Sequence, residues 1–280
     1  SSWIGVASMA ESTVVIMYHR FGESSYPSTN ITIAQFEAHI EILKRGPYKV
    51  VPITELAAAL KADRCDIYTD VEGVYTTDPR IVDKARKLTR ITYEEMLEMA
   101  SQGAKVLQTR AVELAMNQGV RLQVRSAFVD APGTLVVDED EIVEQQVVSG
   151  IAYSRDEAKI TIVGVEDRPG VVGQIFVPLA EAGVSVDVIV QNASLEGLTD
   201  VTFTVSGGDF ERALALTKEI CSEMAQDVAG NRGLAKMSIV GTGMQNGPGY
   251  AATMFAALSK AGVNIEMITT SEIRITCVID

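Results

Sequence analysis

Residues 61–80, KADRCDIYTDVEGVYTTDPR, place two carboxylates, Asp70 and Asp78, and one guanidinium, Arg80, on a stretch punctuated by Gly73 and Pro79. A guanidinium presents a fixed fork of donors that suits phosphate oxygens, and glycine lets backbone approach a bound ligand closely. The same side chains can equally pair with one another on a loop surface, so the local residues leave both readings open. A second stretch, VEDRPGVVGQIF, offers different chemistry. Pro169 and Gly170 precede an apolar-periodic helix whose first N–H groups lie free at the positive dipole end, a setting suited to a carboxylate. Asp167 can hold an ammonium group there, and Gln191 and Asn192 close the next strand as further polar contacts. One loop thus offers both halves of an amino-acid recognition site, although a Pro-Gly pair before a helix also serves as a plain turn.

The elements that must position these groups follow from periodicity. TVVIMY (13–18) predicts a buried strand, and ITIAQFEAHIEIL (31–43) a helix with Thr32 and Gln35 as a capping box and Phe36, Ile40 and Leu43 on one face. RGPYKVVPI supplies a turn and a short strand, and TELAAALKA (54–62) a second helix. CDIYTDV is a strand candidate that runs into the loop GVYTTDPR. ITYEEMLEMASQ predicts a helix capped by Thr92 with Glu95 three residues on, and KVLQTRAVELAMNQ another, stopped by Gly119. VRLQVRSAF and GTLVV predict strands, and the acidic VDEDEIVEQQ (137–146) a solvated linker.

Beyond that linker the chain repeats itself. The stretch 158–192, which begins AKITIVGVEDRPG, aligns with 235–271; Ala158 matches Ala235 and Pro169 matches Pro248, so the second copy has two extra loop residues. Each copy reads as an alternating strand, a loop ending in Pro-Gly, an amphipathic helix, an Ala-Gly stop and a second strand. DVTFTV and FERALALTKEICSEM then complete a βαββα pattern in the first copy, which predicts a small α+β sandwich. The second copy reaches Asp280 inside what should be its third strand, and its last helix and strand are expected to be missing.

With 24 Lys+Arg against 37 Asp+Glu, the net charge of −13 repels nucleic-acid phosphates and anionic lipid heads, so neither nucleic acid nor membrane is expected as a partner. Cys65, Cys221 and Cys277 are odd in number and lack metal or disulfide spacing, which fits a reducing cytoplasm. No apolar run approaches the roughly 18 residues of a membrane span, and the N-terminus lacks the pattern of a secretory signal. The chain opens on Ser rather than Met and reads as a fragment.

Several of these stretches resemble the aspartokinases, the enzymes that open lysine, threonine and methionine synthesis. VEDRPGVVGQIF, VDVIVQN, TDVTFTV and GPGYAATMFAAL with GVNIEMITTSEIRI look like that family's paired ACT domains. YTDVEGVYTTDPRIV, YEEMLEMASQGAKVLQTRAVELA and SGIAYS extend the likeness upstream, over about residues 57–280. The resemblance implies a partial amino-acid-kinase-like α/β region followed by two tandem ACT units of α+β, ferredoxin-like βαββαβ form, the second incomplete. It implies that lysine or threonine binds the ACT pair as feedback inhibitor. The matching positions are Asp167, Gly170, Gln191 and Asn192 in the first unit and Asn264 and Ile265 in the second, with Ser271 and Glu272 beside the same interface. It further implies homo- or hetero-oligomers formed through the ACT domains.

For the opening stretch the resemblance implies ATP with Mg2+: Thr69 and Asp70 near the nucleoside, Tyr75 and Arg80 at the nucleotide and its phosphates, and Lys105 on the base side. Phosphoryl transfer to aspartate also needs a cation at the γ-phosphate and a carboxylate held in line. The family places those groups in a Lys-Phe-Gly-Gly-Thr-Ser motif and a Gly-Arg-Gly-Gly-Ser-Asp loop. Neither string occurs in the 280 residues, so no catalytic residue is assigned and no aspartate-dependent ADP formation is expected. A regulatory binding module without turnover, like the shorter ACT-only subunits of some members, is the alternative.

VIMYHRFGESSYPSTNITIAQFEAHIEILKRGPYKVVPI, about residues 12–55, resembles the opening segment of polysaccharide deacetylases, metal enzymes on a barrel of β/α units. That family's Thr-Phe-Asp-Asp-Gly and His-x-x-x-His motifs are absent, and with only His19 and His39 in the chain no metal site is expected. The expectation is a join of two incomplete parts: a deacetylase-like segment 1–55, the C-terminal part of a kinase domain 56–145, and ACT units 146–232 and 233–280.

Overall fold

The computed structural model describes residues 2–7, 13–18, 20–21, 30–31, 33–45, 49–51, 64–142, 147–192, 197–246 and 248–280. The helix expected over 54–62, the Thr32 cap, His19 and residues 143–146 of the acidic linker lie outside these residues, as do the side chains of Gln35, Phe36, His39 and Leu43. The chain divides into two units, Ser1–Val74 with Lys87–Leu97 and Val106–Ile142, and Tyr75–Arg86 with Glu98–Lys105 and Val143–Asp280.

The first unit opens with β1 (Ser2–Ala7) and β2 (Thr13–Tyr18), the latter being the apolar TVVIMY run. A short parallel pair, β3 (Arg20–Phe21) and β4 (Asn30–Ile31), precedes the helix α1 (Ile33–Arg45). β5 (Lys49–Val51) completes an antiparallel sheet in the order β2-β1-β5. The second sheet of this unit uses β6 (Arg64–Thr69), β7 (Arg90–Thr92), β8 (Arg121–Ser126) and β9 (Thr134–Val137) in the order β6-β8-β9-β7. Along β8 the burial alternates, Leu122, Val124 and Ser126 pointing inward, as a two-residue strand period requires.

Two helices follow in this part of the chain, α2 (Tyr93–Ser101), whose residues from Glu98 on fall in the second unit, and α3 (Thr109–Gln118) in the first. α2 starts where the capping box predicts: the Glu95 N–H donates to Thr92 Oγ1 at 3.1 Å and the Thr92 N–H to Glu95 Oε2 at 3.2 Å. α3 ends on Gly119 in the left-handed region, whose N–H reaches the Met116 carbonyl at 3.1 Å. The helix begins at Thr109, four residues later than its expected start at Lys105. Thr134 pins the loop after β6: its hydroxyl accepts the Val74 N–H at 2.8 Å and donates to the Leu88 carbonyl at 2.6 Å. A Cβ on Gly73 would lie 2.6 Å from that hydroxyl oxygen, so only glycine fits there.

The second unit contains β10 (Gly150–Glu166), α4 (Val171–Glu181), β11 (Val186–Asn192), β12 (Leu198–Ser206), α5 (Phe210–Ile220), β13 (Asp227–Val240), α6 (Tyr250–Lys260), β14 (Ile265–Thr270) and β15 (Arg274–Ile279). The strands form one antiparallel sheet in the order β11-β12-β10-β13-β15-β14. In the first copy, α4 and α5 bury Ile175, Leu179 and Ala213 against Ala158, Ile160, Ile162 and Phe203. In the second, α6 places Met254 and Leu258 against Ile239, Ile275, Cys277 and Ile279. Each fully buried large apolar side chain contributes about 1.5–3 kcal/mol.

β10 and β13 are long enough to serve both copies. Residues 157–163 of β10 pair with 227–234 of β13 and belong to the first copy; residues 150–154 pair with 236–240 and belong to the second, with the register shifting between Ser154 and Glu157. This corrects one expectation. The second copy has a third strand in β15, and the place of the last strand expected to be missing, beside its first strand, is filled by 150–154. The apolar cluster Val188, Leu234, Met267 and Val278 then joins the two copies on the faces away from their helices.

Candidate functional site

Strand alternation turns one lysine of each copy away from the helix-covered core. Lys159, between the buried Ala158 and Ile160, reaches across to Glu266 of β14; Lys236 reaches Asp187 of β11 and, at 3.2 Å, Glu157. The repeat alignment matches Lys159 with Lys236 and Asp187 with Glu266, so each copy's first strand holds the other copy's second strand by equivalent ion pairs. The environments differ: Lys236 and Glu157 side chains are 6% and 8% exposed, Lys159 and Glu266 19% and 22%. The Lys159 ammonium, by hydrogen bond and charge, holds the Glu266 carboxyl below its ordinary range. These residues were missed at the sequence level, though a charge flanked by apolar residues at the same place in both copies was there to read.

The residues expected to contact an amino acid fall into three groups. Gly170 caps α4 with φ 91 and Gly249 caps α6 with φ 104, so the two Pro-Gly turns have the same backbone form. The Asp167 N–H donates to the Gly197 carbonyl at 2.8 Å, and Asn192 pairs with Asp200 at the same end of the sheet. Asp167, Gly170, Gln191 and Asn192 are all exposed, and the Asp167 carboxylate has no partner among the described residues. Asn264 and Ile265 stand at the other end, where Asn264 Nδ2 donates to Glu266 Oε1 at 3.3 Å and Ile265 packs on the α6 core. At about 3.3 Å per residue, the seven steps along β10 from Lys159, the partner of Glu266, to Glu166 span roughly 23 Å. Ser271 and Glu272 form the exposed turn between β14 and β15, with the Ser271 N–H on the Arg274 carbonyl at 2.8 Å. Within one chain, no described hydrogen bond or ion pair joins the three groups.

The residues expected on the nucleotide side divide between the units. At the end of β6 in the first unit the Thr69 hydroxyl donates to Asp70 Oδ1 at 3.0 Å. Tyr75, Arg80 and Lys105 belong to the second unit. There the Thr76 N–H donates to the Arg86 carbonyl at 2.8 Å and the Arg86 N–H to Thr76 Oγ1 at 3.0 Å, closing the loop on itself. Asp78 organises the tip: Oδ1 accepts from the Arg80 N–H at 2.9 Å and from Nε at 3.0 Å, and Oδ2 from Nη2 at 2.8 Å. The Arg80 hydrogen bond holds the Asp78 carboxyl down to about 2. The guanidinium is paired yet its side chain is 88% exposed, a fit for an anionic oxygen approaching from solvent. Tyr75 is half-buried and Lys105 exposed. Among the described residues no three His, Cys, Asp or Glu side chains are grouped to hold a metal ion.

Residues 53–126 match the amino acid kinase family, and residues 159–222 and 237–280 each match the ACT domain. An aspartate kinase of Stutzerimonas stutzeri is 52% identical over 246 residues, 87% of this chain and 60% of that protein. This chain is a homologue of the aspartate kinases. E. coli aspartokinase III, solved with aspartate and ADP, superposes with a TM-score of 0.68 at 29% identity, over 81% of this chain and 51% of its own. The same enzyme solved with lysine and aspartate gives 0.64 at 30% identity, over 80% and 50%. The chain spans about 60% of the length of the curated aspartate kinases it matches. The match to the Stutzerimonas enzyme is longer than the stretch from residue 56 to the C-terminus, so aspartate-kinase likeness runs into the segment compared above with deacetylases. No comparison supports the deacetylase resemblance or a join of two genes. No helix among the described residues is long and apolar enough to cross a membrane.

Proposed function

We propose that this chain carries the nucleotide-side loop and the regulatory region of a cytoplasmic aspartate kinase, and that its ACT pair binds lysine or threonine. In this reading, over domains 56–145, 146–232 and 233–280, the whole enzyme phosphorylates L-aspartate with Mg-ATP and the ACT pair answers to an end product. The carrying observation is the exposed Asp167 carboxylate beside the open start of α4, which pairs an ammonium acceptor with free helix N–H groups. Gln191 and Asn192 lie at the same sheet end and Asn264, Ile265, Ser271 and Glu272 lie elsewhere, so an oligomer through the ACT domains would be needed to bring the groups to one ligand. Thr69, Asp70, Tyr75, Arg80 and Lys105 are the nucleotide contacts of the reading. In it, Arg80 supplies charge-assisted donors to a phosphate oxygen.

Calorimetric titration of the purified chain with lysine and, separately, threonine tests the sensor. Saturable binding of either is expected, and Asp167→Ala is expected to weaken it by about 1.5–3 kcal/mol, the cost of a charge-assisted contact. Unchanged affinity removes Asp167 from the site.

A further inference from the structure

The nucleotide-side loop is built onto the strand that completes the second ACT copy. Residues 150–154 of β10 pair with β13 along one edge; along the other, the Ile151 N–H donates to the Thr76 carbonyl at 2.7 Å. Two residues on, the Tyr153 hydroxyl donates to Asp78 Oδ2 at 3.3 Å. Missing side chains allow this approach. A Cβ on Gly103 would lie 2.4 Å from the Tyr153 carbonyl oxygen, and one on Gly150 2.6 Å from Met99 Cε. The segment 98–105 is fixed to the same copy by polar contacts. Ser238 Oγ donates to Gln102 Oε1 at 3.1 Å and lies 2.7 Å from Thr276 Oγ1, all three residues buried, and Arg274 Nη1 meets Glu98 Oε2 at 2.9 Å. The buried Ser238–Gln102–Thr276 contacts are costly to open, and Tyr75–Arg86 and Glu98–Lys105 fall in one compact unit with the second copy.

Asp78 is the joint in that arrangement. It takes three hydrogen bonds from Arg80 within the loop and one from Tyr153 on the ACT strand. We propose that Tyr153 is a positioning residue: through Asp78 it sets where the Arg80 guanidinium stands, so that a shift of strand 150–154 changes how Arg80 meets a nucleotide phosphate. The phosphate part rests on the nucleotide-side reading of the loop given above. Losing the hydroxyl leaves the Asp78–Arg80 pair intact but lets the pair swing on the loop.

The test uses the full 280-residue chain as wild type, Tyr153→Phe, Asp78→Asn and the double variant. Amide hydrogen exchange is read at Ile81, Val82 and Arg86, whose N–H groups bond within the loop, and ADP affinity is read by calorimetry. Tyr153→Phe is expected to speed exchange in 75–86 and to weaken ADP, each about five- to tenfold, with β12 unchanged. In the Asp78→Asn background it is expected to add nothing, because the two substitutions cut one connection. Wild-type exchange in Tyr153→Phe, or additive effects in the double variant, overturns the positioning role. If unsubstituted chain takes up no ADP, the nucleotide reading and the phosphate role both fall, while exchange still decides whether Tyr153 positions Arg80.

Discussion

In the first ACT copy the fourth strand, residues 227–234, comes directly after that copy's own second helix; in the second copy the same place is held by 150–154, from before the first copy begins. The motifs are nevertheless matched, Pro169-Gly170 with Pro248-Gly249 and Lys159 with Lys236. Equal sequence grammar has therefore produced unequal wiring. The first copy is closed by its own chain, whereas the second is closed by a strand that also carries the nucleotide-side loop through Thr76 and Asp78. The second copy thus has a short hydrogen-bonded route to Arg80, through Ile151 on Thr76 and Tyr153 on Asp78. The first copy reaches that route through β10, β13 and the ion pairs that cross between the copies.

The ion pairs offer the strongest way to break this comparison. Lys236→Met leaves Glu157 buried without its ammonium, and the expected cost is about 3 kcal/mol in urea unfolding. Lys159→Met removes the equivalent group from a wetter pair with a single carboxylate, and about 1 kcal/mol is expected. Equal losses would show that the difference in burial carries no energetic weight. Acid sharpens the same point. Because Lys159 depresses the Glu266 carboxyl, that pair stabilises above the unfolded pKa and its contribution is lost as pH falls through the folded one. Glu266→Gln should therefore be less stable than wild type at pH 7, with the gap closing below the carboxylate range; a gap unchanged in acid would exclude the pair as its source. The smallest effect tests equivalence itself. Gly170→Ala and Gly249→Ala each place a Cβ in open space at positive φ, so each should cost about 1 kcal/mol from backbone strain alone, and equally, by thermal unfolding.

Much of this was legible in the sequence where the cause is local. The Thr92–Glu95 box, the Gly119 stop and both Pro-Gly turns are set by hydrogen bonds within a few residues, and the structure has each of them. Long-range pairing left weaker marks. SGIAYS is a short alternating stretch, and nothing in its periodicity names Val240 as the partner of Gly150. For the same reason the last strand of the second copy, expected to be missing, was misread: a sequence repeat counts strands per copy, whereas a sheet accepts any strand in register. The candidate ligand residues were readable by type, but their separation along β10 depends on strand direction, which the repeat alone does not give.

The long shared strands also set the order in which the molecule can be built. Residues 150–154 leave the ribosome before the first copy exists, and their partners in β13 only after it has been completed. The second copy thus waits for a pairing across the whole length of the first, a non-local closure of the kind that slows folding. The two ACT copies cannot mature in turn like beads on a string. They are expected to refold as one cooperative body, with a single late phase in which both close together.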